Sequence, residues 1–399
     1  LNLSFCGLIN KGLNKINQNN INLLLNTFSH SNICKNNNNN NYNNNNNNNK
    51  SNLNKANSNS LSHQIQKMEM NWKYRTNTIP AVPQVTNDKF DLSQYVMNNS
   101  PIVIRNYAFQ KNWGNFSKDN LIDLVGSGIV RVSVSESGRF DGPESGTLWG
   151  IGSHHDVLVR PPMTSMLLSD FFNLQELRKK NPDKIRETFY IEYLALHQYL
   201  GQSFLNLIPM PLAVTQLFMN ENNNKKINNN DNSESSIQSS NNDHLVTNLW
   251  VGGQPTISPL HYDDYENLLC QIRGRKELTL YPPEDIENLY YIGRYKGTLK
   301  YEFPSQFIRD PTSIINKKHI FGSGINLDSP DIKKFPLFEK TKPIHVILEP
   351  GDVIYLPAYW HHEVQSIPDE DGNGLNIAVN FWFKNQTMPI DDNAILNMR

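Results

Sequence analysis

Hydrophobic and polar positions alternate in short runs across much of the chain. From Ile129 to Ser135 (IVRVSVS) the two kinds swap one for one, the period of a strand with one face against a core. Pro101 to Asn106 (PIVIRN) is a shorter run of the same kind, and Thr188 to Leu196 (TFYIEYLAL) is aromatic and β-branched enough to be a strand. Between them, Met166 to Lys179 (MLLSDFFNLQELRK) repeats its apolar residues at helical spacing, which predicts an amphipathic helix. Strand signals then crowd together after residue 245: Val246 to Val251, Glu266 to Ile272, Glu277 to Tyr281, His345 to Leu348, Val353 to Leu356 and Leu375 to Phe383. Short strands, glycine or proline turns and few helices predict a mainly β fold, a closed or double-sheet barrel with helices packed outside.

Two stretches carry neither period. Residues 1–68 are dominated by asparagine, with a tract from Asn36 to Asn49 broken only by Tyr42, and Asn220 to Asn242 (NENNNKKINNNDNSESSIQSSNN) is built in the same way. The first reads as a disordered head and the second as a surface loop inserted into a single domain spanning 69–399. Charge divides along the same boundary. The head holds six lysines and no acid, which leaves the remainder near minus seven, a sign that argues against a nucleic-acid partner. A basic, acid-free head with an apolar patch at Ile21 to Leu25 has a weak likeness to an organelle transit sequence, but it lacks arginine and its asparagine tract fits disorder better. Three cysteines, two of them in the head, cannot build a disulfide framework, so a reducing compartment, cytoplasmic or nuclear, is expected. No run reaches the roughly 18 apolar residues of a membrane span.

Chemistry enters with His261, Tyr262 and Asp263. On a strand, residues i and i+2 share a face, so this imidazole and carboxylate can reach one ion together. Two nitrogens and one carboxylate on one side of an octahedral ion leave three positions open, the arrangement of Fe(II) oxygenases. The pair His361 and His362 offers a third ligand from either residue. Alone the triplet is weak, since about one such spacing arises by chance at this composition. Its company matters more: GDVIYLPAYWHHEVQS (Gly351 to Ser366) reads as a tight turn, a strand stopped by Pro357, an aromatic corner and a second strand, and NIAVNFWF (Asn376 to Phe383) follows as another. Lys276 stands just after a turn made by RGRK (Arg273 to Lys276).

With these segments, SPLHYDDYENLLCQIRGRKELTLYPPED (Ser258 to Asp285), GDVIYLPAYWHHEVQS and AVNFWF, the chain resembles the JmjC-domain Fe(II) and 2-oxoglutarate oxygenases. The likeness is greatest to the small hydroxylase branch, represented by the asparaginyl hydroxylase that inhibits hypoxia-inducible factor and by the JmjC lysyl hydroxylase. It runs strongly over about Thr247 to Lys384, more weakly before the insert, and so straddles it. The resemblance implies a double-stranded β-helix, the jelly-roll or cupin-like barrel, with flanking helices. It makes His261, Asp263 and His362 the metal ligands, because the family's W-x-H-x-(V/I) segment matches Trp360 to Val364. It makes Lys276 the partner of the distal carboxylate of 2-oxoglutarate, and Ser258 a hydroxyl donor to it where the asparaginyl hydroxylase has threonine. Tyr190 adds a phenolic donor, with Tyr193 as its alternative, Asn267 and Asn380 are amides facing the iron-bound end, and Trp382 is a pocket aromatic.

The implied cofactors are Fe(II), 2-oxoglutarate and O2, with succinate and CO2 released as a protein or peptide side chain, asparaginyl, lysyl or similar, is hydroxylated. N-methyl-lysine demethylation is the second expectation, because no zinc finger or basic nucleosome-facing patch accompanies the motifs. A catalytically inactive cupin-like binding protein is the third. The resemblance leaves the oligomeric state open.

Overall fold

The computed structural model describes residues 82–85, 92–107, 116–208, 245–291, 294–303, 306–317, 322–370 and 374–383. The asparagine-rich head and the 220–242 insert lie outside the described residues. In chain order the first half runs β1 (Gln84–Val85), α1 (Leu92–Met97), β2 (Ile102–Ile104), α2 (Lys118–Val125), β3 (Ile129–Ser135), β4 (Gly142–Ser145), β5 (Asp156–Arg160), β6 (Met163–Leu167), α3 (Leu168–Lys180) and β7 (Thr188–Ala195). After two short helices come β8 (Leu245–Gly252), β9 (Thr256–His261), β10 (Glu266–Arg273), β11 (Arg275–Tyr281), β12 (Arg294–Glu302), β13 (Gln306–Arg309), β14 (Ile315–Lys317), β15 (Ile344–Leu348), β16 (Val353–Leu356), β17 (His361–Ile367) and β18 (Asn376–Phe383).

Two sheets make the barrel. A nine-stranded sheet in the order β1-β2-β16-β10-β18-β8-β7-β3-β6 shares its inner core with a four-stranded sheet in the order β15-β11-β17-β9. Strand periodicity explains how two cores arise from one set of strands. Leu269, Leu278, Leu280, Val346, Leu348, Ile354, Leu356 and Ala378 fill the space inside the barrel. Their neighbours Leu268, Cys270, Val353, Tyr355, Val379 and Phe381 point outward, to a second core closed by Leu121 and Val125 of α2 and by Leu168, Phe171 and Phe172 of α3. Helix α2 starts where Ser117 caps it, the hydroxyl accepting from the Asn120 N–H at 3.3 Å. The fold is the cupin-like jelly-roll.

Three differences from the sequence pattern have physical causes. The predicted helix from Met166 begins at Leu168, because Met163–Leu167 pairs with β3 as a strand. Strand β9 carries Pro259 in its interior; it lies at the edge of the four-stranded sheet, where a missing N–H costs no ladder bond. A third sheet, β13-β12-β5-β4 with β14 beside β12, packs around Trp149 and was not foreseen. Among the described residues, no helix is long and apolar enough to cross a membrane.

Candidate metal centre

The centre is assembled where β9 and β17 run side by side. His362 lies directly opposite His261 in the antiparallel pairing, and the register shifts immediately beyond it, between His362 and Val364. His261 is the last residue of β9, so Asp263 stands just past the strand end rather than within it. The aromatic corner holds it there: Tyr359 adopts a left-handed φ of 66°, and its backbone N–H donates to the Asp263 carbonyl at 2.8 Å. As a result, ligand atoms of His261, Asp263 and His362 all fall within 4.8 Å of one another. The two imidazoles have centroids 4.3 Å apart, and His362 Nε2 is 3.6 Å from Asp263 Oδ2.

Both rings are oriented from behind. His261 Nδ1 sits 2.7 Å from the Pro259 carbonyl and His362 Nδ1 2.9 Å from the Trp360 carbonyl. A carbonyl accepts only, so each Nδ1 carries the proton and each Nε2 keeps its lone pair for the centre. Burial, with His261 beside it, pushes His362 down to about 3, which keeps that lone pair available at neutral pH. Burial raises Asp263, against the pull of His261. Two neutral nitrogens and one carboxylate converging from one side form a donor set that fits a divalent transition metal with open positions. His361 faces away: its Nδ1 is 3.1 Å from the Tyr291 hydroxyl and its ring packs against Tyr262 and Tyr291.

A cavity opens from this triad and is also lined by Tyr190, Tyr193, Trp250, Ser258, Asn267, Lys276, Asn380 and Trp382. Apart from His361, every residue singled out in the motifs as a candidate for the metal or the co-substrate therefore borders one space. At its far end Lys276 is only 2% exposed, and its Nζ donates to Ser366 Oγ at 2.6 Å, with the Tyr190 hydroxyl at 3.4 Å. Among the described residues no carboxylate pairs with it, and burial pushes the ammonium down to about 7. Such a cation is suited to an anionic ligand that brings its own charge. Lys276 is paired with Ser366, four residues along β17 from His362. At strand rise that is about 13 Å of backbone, a span that the lysine side chain and a five-carbon diacid can share.

The two tyrosines differ in their partners. Both lie against Trp250, but Tyr190 is buried beside Lys276, whereas Tyr193 also packs on Trp382. The amides Asn267 and Asn380 face each other, Asn380 Nδ2 donating to Asn267 Oδ1 at 3.1 Å, and Trp250 Nε1 donates to Asn380 Oδ1 at 2.9 Å. Sequence reasoning missed Ser366 and Trp250. The signal for Ser366 was its same-face spacing of four from His362, opposite Lys276. Trp250 carried none beyond strand parity with Asn248.

The chain is similar to known proteins. The family model described as "Cupin-like domain" matches residues 87–388. The chain is 32% identical over 149 residues to the HSPB1-associated protein 1 homolog of Danio rerio, covering 37% of this chain and 27% of that protein. It is 32% identical over 150 residues to the Lysine-specific demethylase JMJ32 of Arabidopsis thaliana, 35% of this chain and 41% of that one. JmjC domain-containing protein D of Dictyostelium discoideum is 27% identical over 277 residues, 67% of this chain and 50% of that one. The chain thus spans about a quarter to half of the length of these relatives. By its matched model, its barrel and its converging histidines and aspartate, the chain belongs to the cupin-like domain family, among the JmjC-domain proteins.

Proposed function

We propose that this chain is an Fe(II)- and 2-oxoglutarate-dependent dioxygenase that hydroxylates a polypeptide side chain. The observation that carries the reading is one cavity holding both a three-ligand cluster and, at its far end, a buried lysine with no carboxylate partner among the described residues. In this reading His261, Asp263 and His362 hold the iron, and Lys276, helped by Ser258, Ser366 and Tyr190, receives the distal carboxylate of 2-oxoglutarate. Asn267 and Asn380 line the wall between the two. Iron and 2-oxoglutarate together supply the activation of O2, with succinate and CO2 as co-products. The protein's own work is to orient: the carbonyl-anchored imidazoles keep fixed tautomers, and the apolar floor of Leu269, Leu278 and Leu356 keeps water from the diacid.

Succinate release from 2-oxoglutarate under air, dependent on added Fe(II), tests the reading; a chain that binds both without turnover is a binding protein instead. N-methyl-lysine demethylation is the second reading, supported by the name of the Arabidopsis relative. Product mass separates the two, a gain of about 16 mass units for hydroxylation against a loss of about 14 for demethylation, since both draw on the same oxygen chemistry. A polypeptide substrate and a reducing cytoplasmic or nuclear setting complete the proposal.

A further inference from the structure

The surroundings of Lys276 are neutral on every side. Its strand neighbours Arg275 and Glu277 turn to the outer face of β11 and pair with each other at 3.0 Å. Leu348 of β15 lies opposite it on one flank and Ser366 of β17 on the other. The groups that Nζ meets are the Ser366 hydroxyl at 2.6 Å, the Tyr190 hydroxyl at 3.4 Å and the Tyr190 ring, with its centroid at 6.0 Å. Thr256 of β9 stands opposite Ser366, and Ser258 of the same strand lines the cavity that Lys276 borders. Burial raises the Tyr190 hydroxyl, so it stays a neutral donor. A buried amine in such company has no ion to hold its proton, and burial favours its neutral form.

Two consequences meet at this one atom. A neutral amine keeps the nucleophilic lone pair that an ammonium lacks. Hydroxyls gathered around it are donors for a carboxylate, and they serve one built onto Nζ as well as one brought by a ligand. Carbon dioxide converts the amine into such a group without oxidant or reductant. The Nζ lone pair forms an N–C bond to the carbon of CO2, one C–O π pair moves onto oxygen, and Nζ gives up a proton to solvent. The product is a carbamate, a carboxylate carried by the lysine itself.

We propose that Lys276 is a site of reversible carbamylation by CO2, and that the carbamate and 2-oxoglutarate exclude one another there. The two forms of the residue differ in sign. As an ammonium it attracts the distal carboxylate of the diacid; as a carbamate it repels that carboxylate and occupies the same hydroxyls. The N–C bond stands apart from the dioxygenase reading, whereas the competition and the supply of CO2 by turnover rest on it. Under that reading a product of the reaction holds the site in a resting form when 2-oxoglutarate is scarce.

The test uses the full chain without added metal or 2-oxoglutarate, in buffer equilibrated with carbon-13 CO2 and bicarbonate. A carbon resonance downfield of bicarbonate is expected, and at constant dissolved CO2 it grows between about pH 6 and about pH 8 as amine replaces ammonium. Ethylation with a trialkyloxonium salt traps the carbamate, and fragment masses place it on Lys276. Lys276→Arg keeps a cation without a nucleophilic amine and loses the trapped adduct. Saturating 2-oxoglutarate removes the adduct from the native chain. At a CO2 level that carbamylates half of the protein, calorimetry gives an affinity for 2-oxoglutarate about twofold weaker, the size of the competent fraction. No trapped adduct on Lys276, with bicarbonate held as a free anion only, overturns the proposal. So does an adduct that persists in a chain saturated with 2-oxoglutarate. A chain that carries the adduct but neither binds 2-oxoglutarate nor releases succinate with Fe(II) refutes the dioxygenase reading and the competition, and upholds the carbamate.

Discussion

Strands β10 and β18 are paired along their length and yet have two unlike faces. On one face Leu268, Cys270, Val379, Phe381 and Phe383 enter an apolar core shared with the helices. On the other, Leu269 and Ala378 give way to Asn267, Asn380 and Trp382, which border the candidate site. Adjacent residues thus serve different ends: the outward ones hold the sheet, and the inward ones furnish a polar cavity. The period of two lets one strand pair do both without compromise at any single position.

Substitutions on the two sides should therefore come apart. Asp263→Ala takes away the only carboxylate of the triad; turnover of 2-oxoglutarate falls below detection and Mn(II) affinity drops by about 100-fold or more, measured by succinate assay and metal titration. Phe381→Ala, one residue from Asn380 but on the outer face, costs about 3–5 kcal/mol in denaturant unfolding. It leaves the metal affinity of the folded molecules within about twofold, as expected for a site it does not touch. Were Phe381→Ala to lower metal affinity as Asp263→Ala does, the two faces would not be independent.

Lys276→Met sharpens the contrast, because this inward group opposes folding. Losing the cation lowers affinity for 2-oxoglutarate by about 100-fold, read by calorimetric titration. The same variant makes the ligand-free protein more stable at pH 7, by on the order of 4 kcal/mol, since burial holds the ammonium at about 7 against an ordinary value of about 10.4. Smaller, but continuous, is the effect of pH. Above pH 7 the folded, ligand-free chain has shed a proton that the unfolded chain keeps until about pH 10.4. Stability of the ligand-free protein therefore rises between these values. A diacid that needs the ammonium must restore the proton, so its affinity falls by about tenfold for each pH unit above 7. Titrations at pH 7, 8 and 9 read that slope directly.

Much of this was legible in the chain because the central strands are apolar on both sides and bounded by turn residues. Glu266–Arg273, Val353–Leu356 and Asn376–Phe383 announced themselves in this way. The small third sheet did not. Strand β4 is GPES, without one apolar side chain large enough to show a period, β13 is short and half exposed, and β14 has only three residues. The motifs pointed to His261, Asp263, Lys276 and the histidine pair, but choosing between His361 and His362 by parity requires the strand register. The pairing of His362 with His261 is a tertiary fact. Tyr193 was harder still. The pairing of β7 with β8 shifts register between Ile191 and Leu194, which breaks the alternation on which strand parity depends, so the residue read from sequence as a second choice beside Lys276 packs instead on Trp250 and Trp382.

The cross-strand partnership of His261 and His362 joins positions about 100 residues apart. Closing a loop of that length costs about 4 kcal/mol of chain entropy, and folding bears it before any ion arrives. The finished barrel then offers a preformed socket. A nascent chain that has not yet emerged as far as β17 has only two of the three ligands of that socket, so a metal held by all three would report that β17 has paired with β9.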